Sequence, residues 1–282
     1  MDNFVENLIS VSSAPIAKLV GKKYYDLDGT LKVMKKVFRE SVVDGFELQL
    51  QPEWDSENPP LTDTQFADWT KTPKYTVDDI LRIFKKQSLP ILSVHASRDI
   101  GSYLCSSRKQ DNEKGRQLIH DSLYLANDLG AHVCVFHLWD TWKTKINWQK
   151  LKKDLLDMIH PFAKVKASVE NIPTHVKGYT PFLLVKHFDH ITLDVKWSSL
   201  YNELDRFESI VDKIANVHMR GRLRGDRWFL NSSSFGFYEV LDLIRKRWKY
   251  PGLLTIEPEG ERNISLFNSF VKAMKSLRTQ SD

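Results

Sequence analysis

Residues 113–137 read EKGRQLIHDSLYLANDLGAHVCVFH, a helical pattern followed directly by a strand-like run. Leu118, Leu125 and Leu129 recur at the spacing of one helix face. Gly130 follows them, where the end of a helix favours a residue that tolerates positive φ. The run HVCVFH then has the apolar character of a strand that is buried on both faces. The stretch therefore predicts a helix that leads into a buried strand.

The same alternation continues along the chain. Amphipathic segments separate eight short apolar runs, at residues 7–12, 42–50, 90–95, 132–137, 166–170, 190–194, 214–218 and 252–257. Strict alternation indicates parallel strands with crossover helices, and eight strands are the number that closes a barrel. We therefore predict an α/β fold, a (β/α)8 TIM barrel that forms a single domain over residues 1–282, with a long loop after the second strand at about 51–75.

The composition excludes several classes of protein. Apolar residues make up 41% and charged residues 27%, which is typical of globular domains, and no apolar run approaches the ~18 residues of a membrane span. Acidic residues near the N-terminus, where a signal peptide carries Lys or Arg, and only two cysteines favour a reducing cytoplasm. The net charge of +5 is modest and many lysines lie on helical patterns, so we expect neither a membrane nor a nucleic acid as the partner.

The third to the eighth strand each end on a residue that can bind a metal. These residues are His95, His137, Glu170, Asp194, His218 and Glu257. In a (β/α)8 barrel the C-terminal ends of the strands form one mouth, where catalytic residues lie. Three carboxylates at one mouth repel one another unless a cation lies between them. Oxygen ligands together with imidazoles suit Mn²⁺, Co²⁺, Mg²⁺ or Zn²⁺, so the pattern predicts one divalent metal ion.

Taken singly, each of these residues has an ordinary structural role as its alternative. An acid at a strand-to-helix junction, such as Asp194, often caps the helix, although Ser198 and Ser199 are also available for that role. A lone histidine at a strand end, such as His95 or His137, is more often structural than a ligand. Six such residues on consecutive strands favour a common site.

The series resembles the xylose isomerase-like barrels, a superfamily of sugar isomerases, ketose epimerases and an apurinic-site endonuclease. In that family a metal is held by Glu, Asp, His and Glu after the fifth to the eighth strand. The matching residues here are Glu170 in ASVEN, Asp194 in ITLDVKW, His218 in NVHMRG and Glu257 in LTIEPEG. The resemblance implies that these four bind the metal and that Glu170 and Glu257 also form the acid–base pair. It covers most of the chain, from the second strand onward.

The chain also departs from this family pattern. The epimerases usually carry a histidine three residues beyond the Asp, where this chain has Trp197. Their arginine six residues beyond the His corresponds to Arg224, which the resemblance places at the substrate. The endonuclease uses an Asp-x-His pair after the seventh strand to complete a three-zinc site, whereas the loop here contains Asp226 and no histidine. The resemblance is therefore stronger to the sugar enzymes.

Several further side chains are candidates for contact with a substrate. Glu47, in GFELQLQ, lies on a polar face that suits a substrate hydroxyl. His175 follows the fifth strand, and Lys196 follows the sixth, where solvent exposure is the alternative for the lysine. His95 and His137 are expected at the mouth as substrate contacts rather than as ligands of the single metal.

The segment after His218, RGRLRGDRWF, is strongly cationic. In an extended chain His218, Arg220 and Arg222 share one face, because side chains alternate with a period of two. Arginine binds phosphate or carboxylate through two N–H groups, so a sugar phosphate or an acid sugar suits this segment. Ion pairing with Asp226 or Glu259 is the alternative.

The sequence therefore predicts a divalent-metal-dependent isomerase or epimerase of a sugar or sugar phosphate. One glutamate would take a proton next to a carbonyl and the other would return it, while the metal stabilises the enediolate. The alternatives are a metal-dependent dehydratase or lyase acting on a hydroxy-carbonyl compound, a zinc endonuclease at abasic DNA sites, and a barrel that binds a sugar or a partner without turnover. The oligomeric state stays open, with a homo-oligomer among the options.

Overall fold

Eight parallel strands close into a barrel in the computed structural model, which describes residues 7–61, 71–230, 235–259 and 266–279. The barrel strands are β1 Ile9–Ser12, β2 Gly45–Gln49, β3 Ile91–His95, β4 Val133–Phe136, β5 Lys166–Glu170, β6 Ile191–Asp194, β7 Ile214–Arg224 and β9 Leu253–Glu259. They follow one another around the barrel in chain order, and β9 pairs with both β7 and β1. The predicted (β/α)8 barrel is thus confirmed.

Helices surround the barrel and connect its strands. Those within the described residues are α1 Ser13–Leu19, α2 Leu27–Glu40, α3 Val77–Lys85, α4 Ile100–Leu104, α5 Lys109–Leu129, α6 Trp148–Ile159, α7 Pro181–Val185, α8 Val195–Leu200, α9 Phe237–Asp242 and α10 Leu266–Thr279. Helix α5 ends at Gly130 with φ of 73°, as the sequence predicts. None of the described helices is long and apolar enough to span a membrane.

The main apolar core lies between the strands and the helices. Val94, Phe136 and Val169, from three neighbouring strands, are fully buried in one cluster with Leu123 and Leu125 of α5. Full burial of a side chain of this kind contributes roughly 1.5–3 kcal/mol to folding. The outward faces of the strands thus hold the helical layer in place, which leaves their inward faces free for polar side chains.

Buried polar side chains line much of the barrel interior, and they come from alternate positions on most of the strands. They include Ser10, Glu47, Ser93, His95, Ser168, Glu170, Thr192, Asp194, Asn216, His218, Thr255 and Glu257. The hydroxyls of Ser10 and Thr255 lie 2.7 Å apart, and Thr255 donates to Asn216 at 2.9 Å. Glu47 on β2 accepts a hydrogen bond from Asn216 on β7 across the barrel. A connected polar network therefore extends toward the mouth.

Two segments extend beyond the barrel. The predicted long loop at 51–75 begins with a 3₁₀ turn at Pro52–Trp54, and a bridge between Asp55 and Tyr75 joins its two ends, whereas residues 62–70 lie outside the described part of the chain. Strand β7 runs six residues past His218 and forms an antiparallel hairpin with the short strand β8, Arg227–Phe229.

Candidate active site at the barrel mouth

Glu170 lies at the centre of the strand-end residues. Its Oε2 atom is 3.2 Å from Nε2 of His95 and 3.1 Å from Nε2 of His137. Nδ1 of His218 is 3.5 Å from the same oxygen. The Nδ1 atom of His95 lies 2.9 Å from the carbonyl of Ala96, and because a carbonyl only accepts, this nitrogen carries a proton. Three imidazoles from β3, β4 and β7 therefore converge on one carboxylate oxygen.

Glu47 fixes the orientation of the His218 ring from the side opposite the mouth. Oε2 of Glu47 is 3.1 Å from Nε2 of His218, and the same oxygen accepts hydrogen bonds from Ser93 at 2.9 Å and Asn216 at 3.1 Å. The other ring nitrogen, Nδ1, faces the mouth, where Oε1 of Glu257 lies 3.8 Å away. A carboxylate behind the ring of a histidine is the arrangement that orients metal-ligating histidines in proteins.

The two carboxylate oxygens of Asp194 have different partners. Oδ1 accepts hydrogen bonds from the backbone N–H groups of Lys196 at 2.8 Å and Trp197 at 3.2 Å, so Asp194 is the N-cap of α8. Oδ2 points into the mouth, 2.6 Å from Nε of Arg220. The side-chain amide of Asn171 donates to the backbone carbonyl of Asp194 and accepts from its backbone N–H, which holds this residue in place.

Arg220 lies among the three strand-end carboxylates. Its Nε atom is 2.6 Å from Oδ2 of Asp194 and also 2.6 Å from Oε2 of Glu257. A terminal guanidinium nitrogen is 3.7 Å from Oε1 of Glu170, and the guanidinium carbon lies 5.6 Å from the centre of the Trp197 ring. The cation that the three acids need is therefore supplied, in this state, by a side chain two residues beyond His218 on the same strand.

The carboxylates titrate in opposite directions. Burial alone raises the pKa of Glu170, but the charges of His137 and His218 outweigh it and hold that pKa well below its usual range. Burial raises the pKa of Asp194 to about 7, although the guanidinium of Arg220 acts in the other direction. Glu170 is therefore the more firmly ionised of the two acids at neutral pH.

The histidines divide in the same way. Burial lowers the pKa of His218, but Glu47 and two further acids raise it well above its ordinary value. Burial also opposes protonation of His95, whose pKa the hydrogen bond and charge of Glu170 raise. Burial prevails at His137 and lowers its pKa. Protonation is thus favoured at His218 and His95 and disfavoured at His137.

A cavity of about 360 Å³ opens at this end of the barrel, a size that suits a small-molecule site. His137, Arg220 and Glu257 line its inner part. Its other polar lining residues are Lys18, Tyr24, Gln49, Gln51, Arg98 and Glu259. Lys18 and Arg98 flank the ring of Tyr24, at 4.1 and 5.6 Å from its centre. The cavity therefore offers cations, amides and an aromatic face to a polar ligand.

Other predicted substrate contacts lie farther from the cavity. Lys196 forms an ion pair with Glu259 at 2.7 Å. Arg224 is exposed on the β7–β8 hairpin, where its guanidinium lies 5.2 Å from the ring of Phe229. His175 is exposed, stacks on Trp142 and contacts the carbonyl of Thr141. The two buried candidates, His95 and Glu47, hold Glu170 and His218 in place, and Trp197 packs beside Arg220.

The donor atoms at the mouth fit a divalent cation. Oε1 of Glu170, Oδ2 of Asp194 and Nδ1 of His218 are buried and make no hydrogen bond. Two groups of three residues could each hold an ion, because the donor atoms within a group all lie within 4.8 Å of one another. The groups are His95–Glu170–His218 and Glu47–His218–Glu257. Neither group contains Asp194, which faces Arg220 instead. The set can therefore hold an ion, although two of its four expected members, Asp194 and Glu257, are in contact with the guanidinium of Arg220.

Several solved structures that share this fold are named as sugar epimerases or isomerases. A D-tagatose 3-epimerase-like protein superposes with a TM-score of 0.59 at 17% identity, over 96% of each chain. A sugar phosphate isomerase/epimerase from Parabacteroides distasonis gives 0.62 at 11% identity, over 98% of this chain and 97% of the other. D-allulose 3-epimerase from Methylomonas sp., in complex with D-allulose, gives 0.62 at 12%, again over 98% and 97%. No sequence-family model and no curated protein sequence matches the chain.

The chain therefore shares the (β/α)8 barrel fold of these proteins. At identities of 11–17% the likeness is one of fold, and the chemistry has to be argued from the residues at the mouth. The sequence placed Arg220 on the face of His218 and offered a substrate phosphate or carboxylate, Asp226 or Glu259 as its partner, but not the strand-end carboxylates. The signal was the period of two along β7, which brings Asn216, His218 and Arg220 to one side. Lys18 lies on the seven-residue helix α1, which left no periodic signal.

Proposed function

We propose that this protein is an isomerase or epimerase of a sugar or sugar phosphate that works by proton transfer between carbon and carboxylate. The observation that carries the proposal is the pair Glu170 and Glu257, which approach Arg220 from β5 and β9 at the inner end of the cavity. Removing a proton from one face of a sugar carbon and returning one to the opposite face calls for two such groups at the same place. The fold shared with known sugar epimerases supports the same conclusion.

Each glutamate has surroundings that suit proton transfer. Glu257 lines the cavity and would accept a proton from the carbon next to the substrate carbonyl. Glu170 is ionised and is hydrogen-bonded to the imidazoles of His95 and His137. Its position is therefore fixed before a substrate enters. His137, which also lines the cavity and has a lowered pKa, would exchange protons between Glu170 and the substrate oxygen.

The residues that would hold a divalent ion are Glu170, Asp194, His218 and Glu257. When bound, such an ion supplies Lewis-acid stabilisation of negative charge on the substrate oxygens. Glu47 would keep Nδ1 of His218 directed at the mouth, because its Oε2 atom lies 3.1 Å from the opposite ring nitrogen.

The rim of the cavity favours a polyhydroxylated or anionic substrate. Gln51 is buried, and its side-chain oxygen makes no hydrogen bond, so it can accept one from a substrate hydroxyl. Lys18 and Arg98 also line the cavity, where Arg98 pairs with the buried Glu53 at 2.7 Å, and cationic side chains at the rim suit a phosphate or carboxylate group. Sugar phosphates and acid sugars therefore belong in the first substrate panel.

The test is exchange of solvent deuterium into carbon positions of aldoses, ketoses and their phosphates, followed by mass spectrometry. For a substrate that exchanges, Glu257→Gln is expected to slow incorporation by about 10²–10⁴-fold, the usual contribution of a positioned acid or base. Glu203→Gln is the matched control, because Glu203 is a buried glutamate that contacts Thr180, Phe182 and Arg206 instead of the mouth. Full exchange activity in Glu257→Gln would remove Glu257 from the mechanism.

Two other reactions are separated by the mass of the sugar product and by an assay of DNA cleavage. A dehydratase or lyase, kept in view by Trp197 in place of the family histidine, would release a product lighter by one water. A zinc endonuclease is favoured by one observation, the convergence of His95 and His137 on Glu170. It would cut an abasic duplex in the presence of Zn²⁺ with affinity that falls steeply with salt. Strand cleavage without sugar exchange would replace the proposed function.

A further inference from the structure

Arg220 stands between the cavity and two of the expected metal ligands. Its side chain is 20% exposed and lines the cavity, whereas the side chains of Glu170 and Asp194 behind it are fully buried. Of the two glutamates proposed for proton transfer, only Glu257 lines the cavity. In this state Arg220 therefore lies between the cavity and Glu170, one of the two glutamates proposed for proton transfer.

The guanidinium of Arg220 balances the negative charge of the carboxylates but leaves their hydrogen-bonding capacity unsatisfied. Nε of Arg220 carries a single hydrogen, yet two carboxylate oxygens lie 2.6 Å from it, and neither contact has the direction of a hydrogen bond. Oε1 of Glu170 and Nδ1 of His218, both fully buried, also lack a hydrogen bond and face the same place. Unpaired buried polar atoms weaken a structure, so these donors are suited to exchange Arg220 for a better-coordinated cation.

The guanidinium and a metal ion cannot occupy the site together. Bonds from a carboxylate oxygen to Mg²⁺ or Zn²⁺ are about 2.0–2.2 Å long. An ion bonded to Oδ2 of Asp194 and Oε2 of Glu257 would bind the two oxygens that Nε of Arg220 contacts at 2.6 Å, and would therefore touch the guanidinium. Two cations in contact repel strongly in a buried site.

We propose that Arg220 and a divalent cation are alternative occupants of the carboxylate cluster Glu170–Asp194–Glu257, and that Arg220 is the occupant in the ligand-free protein. Metal binding then requires the guanidinium to leave, which uncovers Glu170 and turns Arg220 toward the cavity. The inference rests on the proposed function, since it takes these carboxylates to be those of the reaction. It assigns Arg220 as the residue that sets metal occupancy of the site.

Calorimetric titration with Mn²⁺ and Co²⁺, without any sugar, tests the competition directly. The wild type loses a buried ion pair when the metal enters, so Arg220→Gln is expected to bind the ion at least about tenfold more tightly. Arg227→Gln, which removes an exposed arginine from the adjacent hairpin, is the control and is expected to bind like the wild type. Equal or weaker binding by Arg220→Gln, or no binding by either protein, would overturn the proposal.

A second measurement covers the case in which Arg220→Gln does not fold. Because the guanidinium lies 5.6 Å from the ring of Trp197, its departure changes the surroundings of that indole. Titration of the wild type with Mg²⁺ or Zn²⁺ is therefore expected to change the tryptophan emission, and Trp197→Phe is expected to lose that change. An emission change of the same size in Trp197→Phe, or none in the wild type at saturating ion, contradicts displacement.

The two proposals fail separately. Tighter metal binding by Arg220→Gln, in a protein that exchanges no deuterium into any sugar, supports the competition and rejects the proposed reaction. Sugar exchange by a wild type whose metal affinity equals that of Arg220→Gln supports the reaction and rejects the competition.

Discussion

Glu47 is a buried acid whose effect on the site passes through another residue. One oxygen receives hydrogen bonds from Ser93 and Asn216 and lies 3.1 Å from Nε2 of His218, whereas the second makes no hydrogen bond. Glu47 does not line the cavity, and its predicted contact with a substrate hydroxyl stays a prediction. Its position makes it an orienting group for His218.

Glu47→Gln is expected to reduce the exchange rate of the proposed reaction by about 10–100-fold, since outer partners of metal-ligating histidines contribute this much. The loss should lie in kcat, with KM nearly unchanged, because the substrate does not touch residue 47. Steady-state kinetics of the exchange reaction measures both constants.

Asp154→Asn provides the matched control for Glu47→Gln. Asp154 is a buried acid of the helical layer that pairs with Arg116 at 2.6 Å and Lys150 at 2.6 Å. Its replacement should lower the free energy of unfolding and leave kcat of the exchange reaction unchanged. If Glu47→Gln shows the same pattern as Asp154→Asn, the orienting role is wrong and Glu47 is structural.

Asp194 shows what a residue pattern can and cannot predict about a site. The sequence offers helix capping and cation binding as alternatives for this acid, and the structure gives one to each oxygen. Residue type and strand position were enough to bring Asp194, His218 and Glu257 to one mouth. The period of two along β7 places Arg220 beside His218, but the curvature of the whole barrel decides which carboxylates its guanidinium reaches.

Long helices and strands leave a recognisable pattern in the sequence, whereas several of the shortest ones do not. The 21-residue helix α5 shows its face and its end in the sequence, and all eight barrel strands lie within or begin at the predicted runs. Helices α1 and α4, of seven and five residues, and the three-residue strand β8 are too short to repeat a pattern. Because α1 supplies Lys18 and Pro15 to the cavity, the omission left one wall of the site unpredicted.

The end of helix α5 offers a test of a single backbone position. Gly130 has φ of 73°, and a Cβ added there would meet no atom within 4 Å. Gly130→Ala is therefore expected to lower the free energy of unfolding by about 1–2 kcal/mol through backbone strain alone. Urea denaturation followed by circular dichroism measures the loss.

Gly130→Asn is the companion variant, because Asn adopts the left-handed conformation more readily than Ala. A smaller loss for Asn than for Ala is expected. Equal losses for the two variants would point to a contact at this position instead of to the sign of φ.

For the whole molecule, the polar interior is the feature that a window of sequence does not show. Each barrel strand reads as mostly apolar, yet the inward positions carry Ser, Thr, Asn or acids on strands from both ends of the chain. Side chains along each strand alternate between its two faces, but the pairing of Glu47 with Asn216 joins residues 169 positions apart. Sequence therefore predicts that such side chains face inward, and only closure of the barrel decides which of them meet.

Closure itself depends on a buried contact between the two ends of the barrel. The side-chain amide of Asn7, just before β1, donates to the carbonyls of Tyr250 at 2.7 Å and Gly252 at 3.0 Å, just before β9. Its oxygen accepts from Nε of Arg245 at 3.2 Å, and Arg245 also donates to the carbonyl of Leu277 in α10. One amide thus joins the first strand, the last strand and the final helix.

Asn7→Ala is expected to lower the free energy of unfolding by about 1–3 kcal/mol, because it leaves two buried carbonyls without this donor. The loss should also be local, so amide hydrogen exchange should speed up in β1 and β9 before it does in β4 and β5. Asn127→Ala is the control, since Asn127 is only partly buried and its side chain contacts the neighbouring Asp128. Uniform exchange across all strands in Asn7→Ala would mean that the barrel opens as one unit and that this contact does not hold its seam.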